Sequence, residues 1–535
     1  MVCTVYTKSF FVHKESSSKM DYTAITQFLL YPPLLFLLYL ISNHFHRKFK
    51  NYPPAPFLTL PVVGHLYLLK KHLHKTLSNI SKKHGPVVLL KFGSRKVLLV
   101  SSPSAVEECL SRNDVVFANR PRLLAGKYIG YNYTSLASTS YGDHWRNLRK
   151  IVATEILSNN RLQALHEIRA DEVKSMIRML DSSSKAESPA DMTTVFLELM
   201  LNLMMRMIAG KSYYGDDKEV DVKKAARFRE IIREVFLFSG AANIGDYVPS
   251  LSRLSVKFEE SLRQLQLKVD AYLQDLIREC RERMGDGGGD DTGKRKSFVD
   301  VLLTRQAEEP EYYKDDIIKG LVWVILVAGT DTSAATMEWT LSLLLNHQQV
   351  LKKAQEEIDD KVGYERLVEE SDMADLPYLN CIIKEAMRMH PVGPLAIPHE
   401  SSEECTIASY RIPKGTMLLL NLYSIQRDPE YWDEPTKFKP ERFEDFKAVT
   451  TAKEYGYKWM PFGSGRRGCP GEALAWHIVG LSLASVIQCF DWERLGSELI
   501  DMCEEPGLTM PKATPLVAKC KTRPFVIKLL STYST

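Results

Sequence analysis

A single cysteine, Cys469, lies in an eleven-residue turn, residues 461–471, that also holds four glycines and two arginines. A cysteine thiolate is a strong, soft ligand for iron, and neighbouring cations favour the ionised thiol. Glycines give the turn backbone conformations closed to other residues, so it can lie against a flat cofactor. The nearest further candidate ligands, His477 and Cys489, are not at zinc spacing. The turn therefore predicts a metal held by one thiolate, and an ordinary buried cysteine is the alternative.

Five positions of this turn match the pattern F-x-x-G-x-R-x-C-x-G, namely Phe462, Gly465, Arg467, Cys469 and Gly471. The pattern resembles the haem-binding signature of the cytochrome P450 superfamily. The resemblance implies that Cys469 is the thiolate ligand of haem b iron, Phe462 packs under the ring, and Arg467 pairs with a haem propionate. Thiolate ligation favours cleavage of the O–O bond, so it suits oxygen activation better than oxygen storage.

The composition is that of a globular chain, because 45% of the 535 residues are hydrophobic and 25% are charged. Length alone favours three or four domains, but the sequence has no internal repeat and its motifs, from residue 145 to residue 471, belong to one site. The net charge of +4 gives no reason to expect nucleic acid as a partner. Nine cysteines without paired spacing indicate thiols in a reducing compartment, so we expect most of the chain in the cytosol.

Residues 22–43 contain no Asp, Glu, Lys or Arg and include a run of apolar side chains from Leu34 to Ile41. At about 1.5 Å per residue, such a helix crosses a hydrocarbon core of roughly 30 Å. Three basic residues follow, Arg47, Lys48 and Lys50, and the positive-inside rule places the rest of the chain on the cytoplasmic side. We therefore predict a single membrane anchor helix; a cleaved signal peptide and a buried helix are the alternatives.

Residues 44–61 are basic and then rich in proline, which predicts a stiff, extended hinge between the anchor and a catalytic domain at residues 62–535. The hinge resembles that of microsomal cytochromes P450, and an ordinary loop is the alternative. Residues 1–21 are interpreted as an N-terminal extension, with Met20 as the expected start of the native chain.

The remaining pattern is mostly helical. Val87–Phe92 and Lys96–Val100 predict a strand pair around Gly93. Asp181–Pro189 and Gly285–Lys296 predict mobile surface loops. The resemblance implies a mainly α fold with small β-sheets, the cytochrome P450 fold, preceded by one transmembrane helix.

A long apolar helix is predicted over Ile317–Leu345, and Gly329, Thr330, Asp331, Thr332 and Ser333 interrupt it halfway. Glycine costs about 1 kcal/mol in a helix, and such local conflicts often mark functional sites. A polar stripe facing solvent is the alternative. The segment resembles the oxygen-activation motif of the family, which implies catalytic roles for Asp331 and Thr332: a hydroxyl beside a carboxylate can relay protons from water. We also expect the helix to open locally at Gly329.

Two further motifs carry the resemblance. Glu385 and Arg388 stand at E-x-x-R spacing on one helical face, and with Arg442 they resemble the structural Glu-Arg-Arg triad of the family. Trp145 and Arg149 stand one helical turn apart, and by resemblance they bind a haem propionate. His399 falls where many relatives carry arginine for the same task; a plain surface histidine is the alternative.

By resemblance, the substrate pocket includes several mainly apolar residues: Leu124, Val324, Ala328, Leu395, Ile397, Leu508 and Met510. Such a lining suits a flat phenolic or terpenoid small molecule. The chain resembles plant microsomal (A-type) members, especially the isoflavone 2′-hydroxylase group, whose relatives oxidise isoflavonoids, lignans, diterpenoids or indolic compounds. Thr332 favours hydroxylation over the methylenedioxy-bridge chemistry of relatives that carry alanine there.

The chain has no nucleotide fingerprint such as G-x-G-x-x-G after a strand, so electrons must come from a partner. The resemblance implies NADPH-cytochrome P450 reductase in the same endoplasmic reticulum membrane, and O2 as co-substrate. Four cations near the Cys469 turn form a candidate docking face for this reductase: Lys437, Lys439, Lys458 and Arg466. The alternative is that they are ordinary solvated surface charges. A monooxygenase is the favoured function; a haem-thiolate isomerase or dehydratase and a non-catalytic haem sensor are the alternatives.

Overall fold

The computed structural model describes residues 22–213, 222–240, 243–285, 296–446 and 451–532. The predicted extension at residues 1–21 and most of the predicted loop Gly285–Lys296 lie outside these residues. Within them the chain is mainly helical with small sheets, as the sequence predicted.

The helices follow one another along the chain with short connections. They are α1 (Tyr22–Phe49), α2 (Leu73–His84), α3 (Pro103–Glu107), α4 (Leu124–Tyr128), α5 (Asp143–Glu155), α6 (Asn159–Ala164), α7 (His166–Lys185), α8 (Met192–Ala209), α9 (Val222–Gly240), α10 (Ile244–Tyr247), α11 (Val256–Gly285), α12 (Phe298–Glu308), α13 (Asp315–Asn346), α14 (Gln348–Lys361), α15 (Pro377–Met389), α16 (Leu422–Ile425), α17 (Glu472–Cys489) and α18 (Pro524–Thr532).

The strands are β1 (Val87–Phe92), β2 (Arg95–Val100), β3 (Ala190–Asp191), β4 (His399–Glu400), β5 (Cys405–Ile407), β6 (Tyr410–Ile412), β7 (Met417–Leu420), β8 (Phe490–Glu493) and β9 (Val517–Thr522). The largest sheet has the order β1-β2-β7-β4, a second has the order β3-β9-β8, and β5 pairs with β6. The predicted strand pair is confirmed as the antiparallel hairpin β1-β2, in which Val87 pairs with Val100. Strand β7 runs parallel to β2 and brings His399 of β4 opposite Leu418.

Helix α13 is the centre of the core, because its apolar side chains are buried on nearly every side. It confirms the predicted long helix. Gly329 lets α8 approach closely, since a Cβ at this position would stand 2.6 Å from the Met204 Cε atom. The expected opening at Gly329 is wrong: α13 is continuous through this residue, and the glycine lies against the flexible end of the Met204 side chain.

Among the described residues, three helices are long and apolar enough to cross a membrane, namely α8, α13 and α17. Their apolar stretches are 72%, 67% and 72% buried inside the protein, so here they serve as core helices. Helix α1 covers the predicted anchor and continues beyond Asn43 to Phe49. Its side chains differ from those of the core helices, because Leu34, Leu35 and Leu38 are each about half exposed or more.

The proline-rich segment after α1 has no helix and packs against the first sheet. The Leu89 N–H donates to the Pro54 carbonyl at 3.0 Å. The Arg47 guanidinium donates to the carbonyls of Pro53 and Leu89 at 3.0 and 2.7 Å. Arg47 therefore joins the end of α1 to this segment and to β1.

The predicted loop Asp181–Pro189 is partly wrong, since α7 extends to Lys185. Asp181 is buried and accepts a hydrogen bond from the Thr522 hydroxyl at 2.8 Å. Lys185 forms an ion pair with the same carboxylate. These contacts stabilise a helix in the serine-rich stretch. The local composition of the stretch alone does not favour a helix.

Candidate functional site

The turn around Cys469 is built from tight backbone contacts. The Cys469 N–H donates to the Phe462 carbonyl at 2.8 Å, and Gly463 and Gly465 both adopt a left-handed φ of +69°. A Cβ at Gly465 would stand 2.6 Å from the Leu110 carbonyl oxygen, so no other residue fits there. The chain then enters α17 three residues after Cys469.

The Cys469 side chain is exposed and lines a cavity of about 270 Å³. Protein atoms around the rest of the thiol raise its pKa by burial, although the sulfur itself remains open to the cavity. The Gly471 N–H and the Arg149 charge oppose that rise. Because α17 begins just beyond, its N-terminal dipole also favours a negative sulfur. The Cys469 pKa nevertheless stays above its ordinary value, because the charge of Glu472 adds to the effect of burial and the opposing groups offset only part of it.

Arg149 lines the same cavity, one helical turn after Trp145 on α5. Its side chain is half-buried, and burial lowers its pKa. None of the other described residues forms a hydrogen bond or ion pair with it. The cavity therefore combines a thiol with a half-buried guanidinium that lacks an anion. The lining residues are Arg149, Thr451, Ala452, Lys453, Trp459, Met460, Pro461, Phe462, Gly463, Ser464, Gly465, Gly468, Cys469 and Glu472.

Arg467 is held by backbone carbonyls. Its guanidinium donates to Ala118 at 2.7 Å, Leu136 at 3.3 Å and Thr139 at 2.6 Å. It also lies over the Trp145 ring, 4.6 Å from the centroid. Burial and the charge of Arg149 lower its pKa to about 10. Three of its five N–H groups are used, and two remain for an anion.

Arg120 is a site residue to which the sequence analysis gave no role. It is buried, donates to the carbonyls of Ile397 and Pro398 at 2.7 and 2.8 Å, and its Nε has no partner among the described atoms. Burial and the charge of Arg467 lower its pKa to about 9. The local sequence, a single arginine between Asn and Pro, does not predict that this arginine is buried.

His399 lies beside these arginines and is not a surface residue, being 6% exposed. Its Nδ1 atom is 2.8 Å from the Phe117 carbonyl oxygen, so this nitrogen carries the ring proton. Burial and the charge of Arg120 hold its pKa well below the usual range. The neutral ring therefore presents Nε2 as an acceptor, whereas a contact to a carboxylate requires the imidazolium.

Around its polar segment, one side of α13, here called its open side, is less buried than the rest of the helix. Val324, Ala328 and Thr332, spaced four residues apart, are half-buried or exposed, whereas most neighbours are buried. The Thr332 hydroxyl donates to the Ala328 carbonyl at 2.6 Å. Thr330 points elsewhere, with its hydroxyl bonded to the Leu326 carbonyl at 2.7 Å and no accessible surface.

Asp331 has an unusual electrostatic environment. Although it keeps some accessible surface, protein atoms surround the carboxyl group, and this burial raises its pKa to about 6. A hydrogen bond from Thr509 opposes the rise, and the charge of Glu338 adds to it. Oδ2 has no partner among the described atoms. A carboxyl group in this state exchanges protons close to neutral pH. Within the described chain, neither Asp331 nor Thr332 lines the Cys469 cavity.

The predicted pocket residues differ in exposure. Ile397 is 45% exposed and Leu124, Leu395 and Leu508 are half-buried. Met510, by contrast, is fully buried, and both its backbone N–H and its backbone carbonyl form hydrogen bonds. Its N–H donates to the Val392 carbonyl at 2.9 Å, and its carbonyl accepts from the Trp339 indole at 2.8 Å.

The three triad residues, Glu385, Arg388 and Arg442, lie together. The Arg388 guanidinium donates to both Glu385 oxygens, and the Arg442 Nε donates to Glu385 Oε1 at 3.1 Å. The candidate docking cations are mostly paired: Lys437 and Lys439 contact Glu434, and Arg466 contacts Asp114 at 3.1 Å. Lys458 lies over the Trp432 ring at 5.2 Å.

Comparison with known proteins identifies the family. The cytochrome P450 family model matches residues 53–518. The chain belongs to the cytochrome P450 family. It is 49% identical to cytochrome P450 81Q32 of Catharanthus roseus, over 91% of this chain and 94% of that protein. It is 45% identical to isoflavone 2′-hydroxylase of Medicago truncatula, over 94% of this chain and 98% of that protein.

A third relative has a different activity in its name. The chain is 44% identical to (+)-piperitol/(+)-sesamin synthase CYP81Q2 of Sesamum radiatum, over 93% of this chain and 96% of that protein. The plant cytochrome P450 group that the sequence resembled is thus confirmed. As a member of this family, the chain is a haem-dependent monooxygenase that uses dioxygen and electrons from a redox partner.

The residues present fit haem. Haem brings an iron atom, which takes one thiolate, and two carboxylates, which need cationic donors. The cavity offers one open sulfur atom and the partnerless guanidinium of Arg149, and the buried Nε of Arg120 is also unsatisfied. The described residues contain no group of three or more His, Cys, Asp or Glu side chains that could hold a metal on their own. These donors are therefore explained by a site in which one thiolate binds a metal that a cofactor carries.

Proposed function

We propose that this cytochrome P450 hydroxylates a small, apolar or phenolic plant metabolite of the isoflavonoid type, with Cys469 as the thiolate ligand of haem b. The observation that carries the proposal is the shared cavity of Cys469 and the partnerless Arg149. When bound, the haem supplies the iron at which dioxygen is activated. All other steps are assigned to residues of this chain.

Four residues would hold the proposed haem carboxylates: Arg149, Arg467, Arg120 and Trp145. Arg149 and Arg467 each retain at least two unused guanidinium donors, which suits bidentate contacts, and Arg120 retains its Nε–H. His399 would contribute there when its ring is protonated, and Phe462, whose ring centroid lies 6.0 Å from that of Trp476, would contact the haem. Glu385, Arg388 and Arg442 keep a structural role.

Asp331 and Thr332 are assigned to proton delivery. A carboxyl group with a pKa of about 6 gives and takes protons near neutral pH, and Thr332 places its hydroxyl on the open side of α13. Val324 and Ala328 precede Thr332 on the same side and provide an apolar surface for substrate. Four further residues are proposed to contact the substrate: Leu124, Leu395, Ile397 and Leu508. Met510 is proposed to lie behind them.

The substrate class follows from the relatives. Three of the similar plant proteins are named as isoflavone hydroxylases, and one is named as a lignan-type synthase. Identities of 44–46% to both kinds support a flat phenolic substrate, and Thr332 supports hydroxylation as the outcome. We propose an isoflavonoid as the first substrate to test.

Helix α1 is the proposed single-pass anchor in the endoplasmic reticulum, with the catalytic domain on the cytoplasmic side. The exposed apolar side chains of α1 and the cations of its last turn, Arg47 and Lys48, support this orientation. Electrons are proposed to come from NADPH-cytochrome P450 reductase. Because three of the four docking cations are paired with acids, we expect only a weak salt dependence of reductase binding.

The test uses microsomes that contain the full chain and the reductase. We expect a thiolate-type band in the reduced carbon monoxide difference spectrum, and NADPH-dependent conversion of at least one member of an isoflavonoid panel. Cys469→Ser should lose the band, whereas Cys503→Ser, at another exposed cysteine, should retain it. A normal band in Cys469→Ser would overturn the assigned ligand. A band without NADPH-dependent turnover of any panel member would contradict the isoflavonoid substrate and leave two alternatives, a different substrate and isomerase or dehydratase chemistry.

A further inference from the structure

The chain turns back on itself at residues 503–513, here called the 503–513 loop. Glu504 faces Lys512 in an antiparallel bridge, and two further backbone hydrogen bonds of 2.9 Å close the loop on either side of that bridge. Leu508, one of the proposed substrate contacts, therefore lies at the tip of the loop, and Glu504 lies at its base. Groups that hold the base can thus decide where Leu508 stands.

The base of the loop is tied to α2 by a buried carboxylate. His74 Nε2 donates to Glu504 Oε1 at 2.7 Å, and the Lys75 ammonium donates to the same oxygen at 2.8 Å. His72, which precedes α2, places its Nδ1 atom 3.9 Å from that oxygen. Glu504 is 9% exposed and His74 is 5% exposed, so water does not replace the contact between them.

The other arm of the loop is tied to α13 and not to α2. The Trp339 indole donates to the Met510 carbonyl at 2.8 Å, and the Lys512 ammonium lies over the Trp339 ring, 4.9 Å from its centroid. At the tip, a Cβ on Gly240, the last residue of α9, would stand 2.2 Å from the Leu508 backbone nitrogen. The position of Leu508 is thus set from three helices, of which α2 acts on the base of the loop.

We propose that Glu504 is a positioning residue for the substrate: its contacts with His74 and Lys75 hold the arm that carries Leu508, and they thereby decide which carbon of the substrate is hydroxylated. The inference rests on the proposed function, in which Leu508 contacts the substrate. Glu504 does not line the Cys469 cavity, and it acts only through the loop.

The electrostatics agree with this geometry. Burial alone would raise the pKa of Glu504, but the hydrogen bonds from His74 and Lys75 lower it to about 2. The carboxylate is therefore charged near neutral pH, and charge-assisted hydrogen bonds are about twice as strong as neutral ones. A neutral amide at residue 504 should consequently hold the arm less firmly, while the contacts of the other arm with α13 remain.

The first experiment measures the loop itself and needs no substrate. Hydrogen–deuterium exchange of the purified full-length protein should be about tenfold faster in peptides covering residues 503–510 for Glu504→Gln and for His74→Phe. His74→Phe removes the hydrogen bond but keeps an aromatic ring beside Tyr423, whose centroid lies 4.6 Å from that of His74. Exchange of α13 should stay at the wild-type rate, which separates a loosened arm from general unfolding.

Glu505→Gln is the matched control, because Glu505 is the next acid along the loop and is exposed. It should leave the exchange of residues 503–510 unchanged. If Glu504→Gln does not accumulate, Lys75→Met removes one contact at an exposed position and should give the same change at smaller size. Wild-type exchange of the arm in both Glu504→Gln and His74→Phe would overturn the proposal.

The second experiment measures the site of hydroxylation with an isoflavonoid that the wild type converts. The fraction of product hydroxylated at a second carbon should rise about fivefold in Glu504→Gln and in His74→Phe. The double variant should shift it no further, because both changes break one contact, and Glu505→Gln should keep the wild-type product. An unchanged product pattern in variants whose arm exchanges faster would refute the positioning role. If the wild type converts no isoflavonoid, the proposed substrate fails, while the exchange rates still decide whether Glu504 holds the arm.

Discussion

Arg388 donates two hydrogen bonds to the Glu385 carboxylate, at 2.6 and 2.9 Å, and neither side chain has accessible surface. The same guanidinium reaches the Gln426 carbonyl at 2.7 Å, while Glu385 Oε1 also accepts from the Lys439 N–H at 3.0 Å. The ion pair thus joins α15 to two segments about 40 and 50 residues further along the chain. Besides these backbone groups, the Arg442 Nε donates to Glu385 Oε1 at 3.1 Å.

Removing one member of this pair should be strongly destabilising. Glu385→Ala leaves the Arg388 charge buried without a counterion, which costs about 3–5 kcal/mol of unfolding free energy. Denaturant unfolding of the full-length protein measures the loss, and a falling haem content should accompany it. Glu434→Ala is the control, because this acid pairs with Lys437 and Lys439 at the surface. A similar loss in both variants would mean that burial of the Glu385 pair is not the cause.

The long elements could be predicted because their signals are local, whereas the triad was predicted only through its resemblance to the family. The continuous apolar run of β1 and the apolar length of α13 are visible within one window of residues, and both were confirmed. The Asp181–Lys185 stretch was misread as a loop, because its helix depends on Thr522, which lies far along the chain. Arg120 was given no role for the same reason, because its hydrogen-bond partners, the carbonyls of Ile397 and Pro398, lie 277 and 278 residues further along the chain.

The high pKa of Asp331 has a consequence for stability. In the folded chain the carboxyl group holds its proton up to about pH 6, whereas its ordinary pKa is 3.8. The folded state therefore binds more protons between these values, and stability falls as the pH rises through them. Asp331→Asn removes this penalty, so it should raise the unfolding free energy by about 1–3 kcal/mol at pH 7.5.

Unfolding measurements of Asp331→Asn at two pH values test the sign. At pH 5 the gain should shrink by about half, because the wild-type carboxyl group is then mostly protonated in the folded state. The same variant should lose coupled turnover, since an amide does not relay protons. A gain of equal size at both pH values would show that packing, and not the charge, limits the stability of the wild type.

Arg149 and Arg146 lie on the same helix and offer a matched pair for haem binding. Arg149 lines the Cys469 cavity, whereas Arg146 is exposed and pairs with Asp143. In Arg149→Gln, transfer of haem to excess apomyoglobin should be about tenfold faster than in wild type, because a charge-assisted contact to a carboxylate is lost. Arg146→Gln should retain the wild-type rate. Equal rates in wild type and Arg149→Gln would remove Arg149 from the proposed haem contacts.

Thr332 and Thr336 make the same local hydrogen bond but differ in surroundings. Thr332 donates to the Ala328 carbonyl at 2.6 Å on the open side of α13, and Thr336 donates to the Thr332 carbonyl at 2.8 Å with only 8% of its surface exposed. Both alanine variants lose one helix-internal bond, so their effects on folding should be alike and small. Only the Thr332 hydroxyl is placed to accept a proton and pass it on.

Thr332→Ala should therefore continue to consume NADPH but release peroxide, with product per NADPH reduced about tenfold. Thr332→Ser should keep most of the coupling, because it retains the hydroxyl. Thr336→Ala should match the wild type in both NADPH consumption and product. The measurement is a balance of NADPH consumed, peroxide released and product formed with one substrate. Full coupling in Thr332→Ala would assign proton delivery to another group, and a loss shared by Thr336→Ala would point to the helix rather than to the hydroxyl.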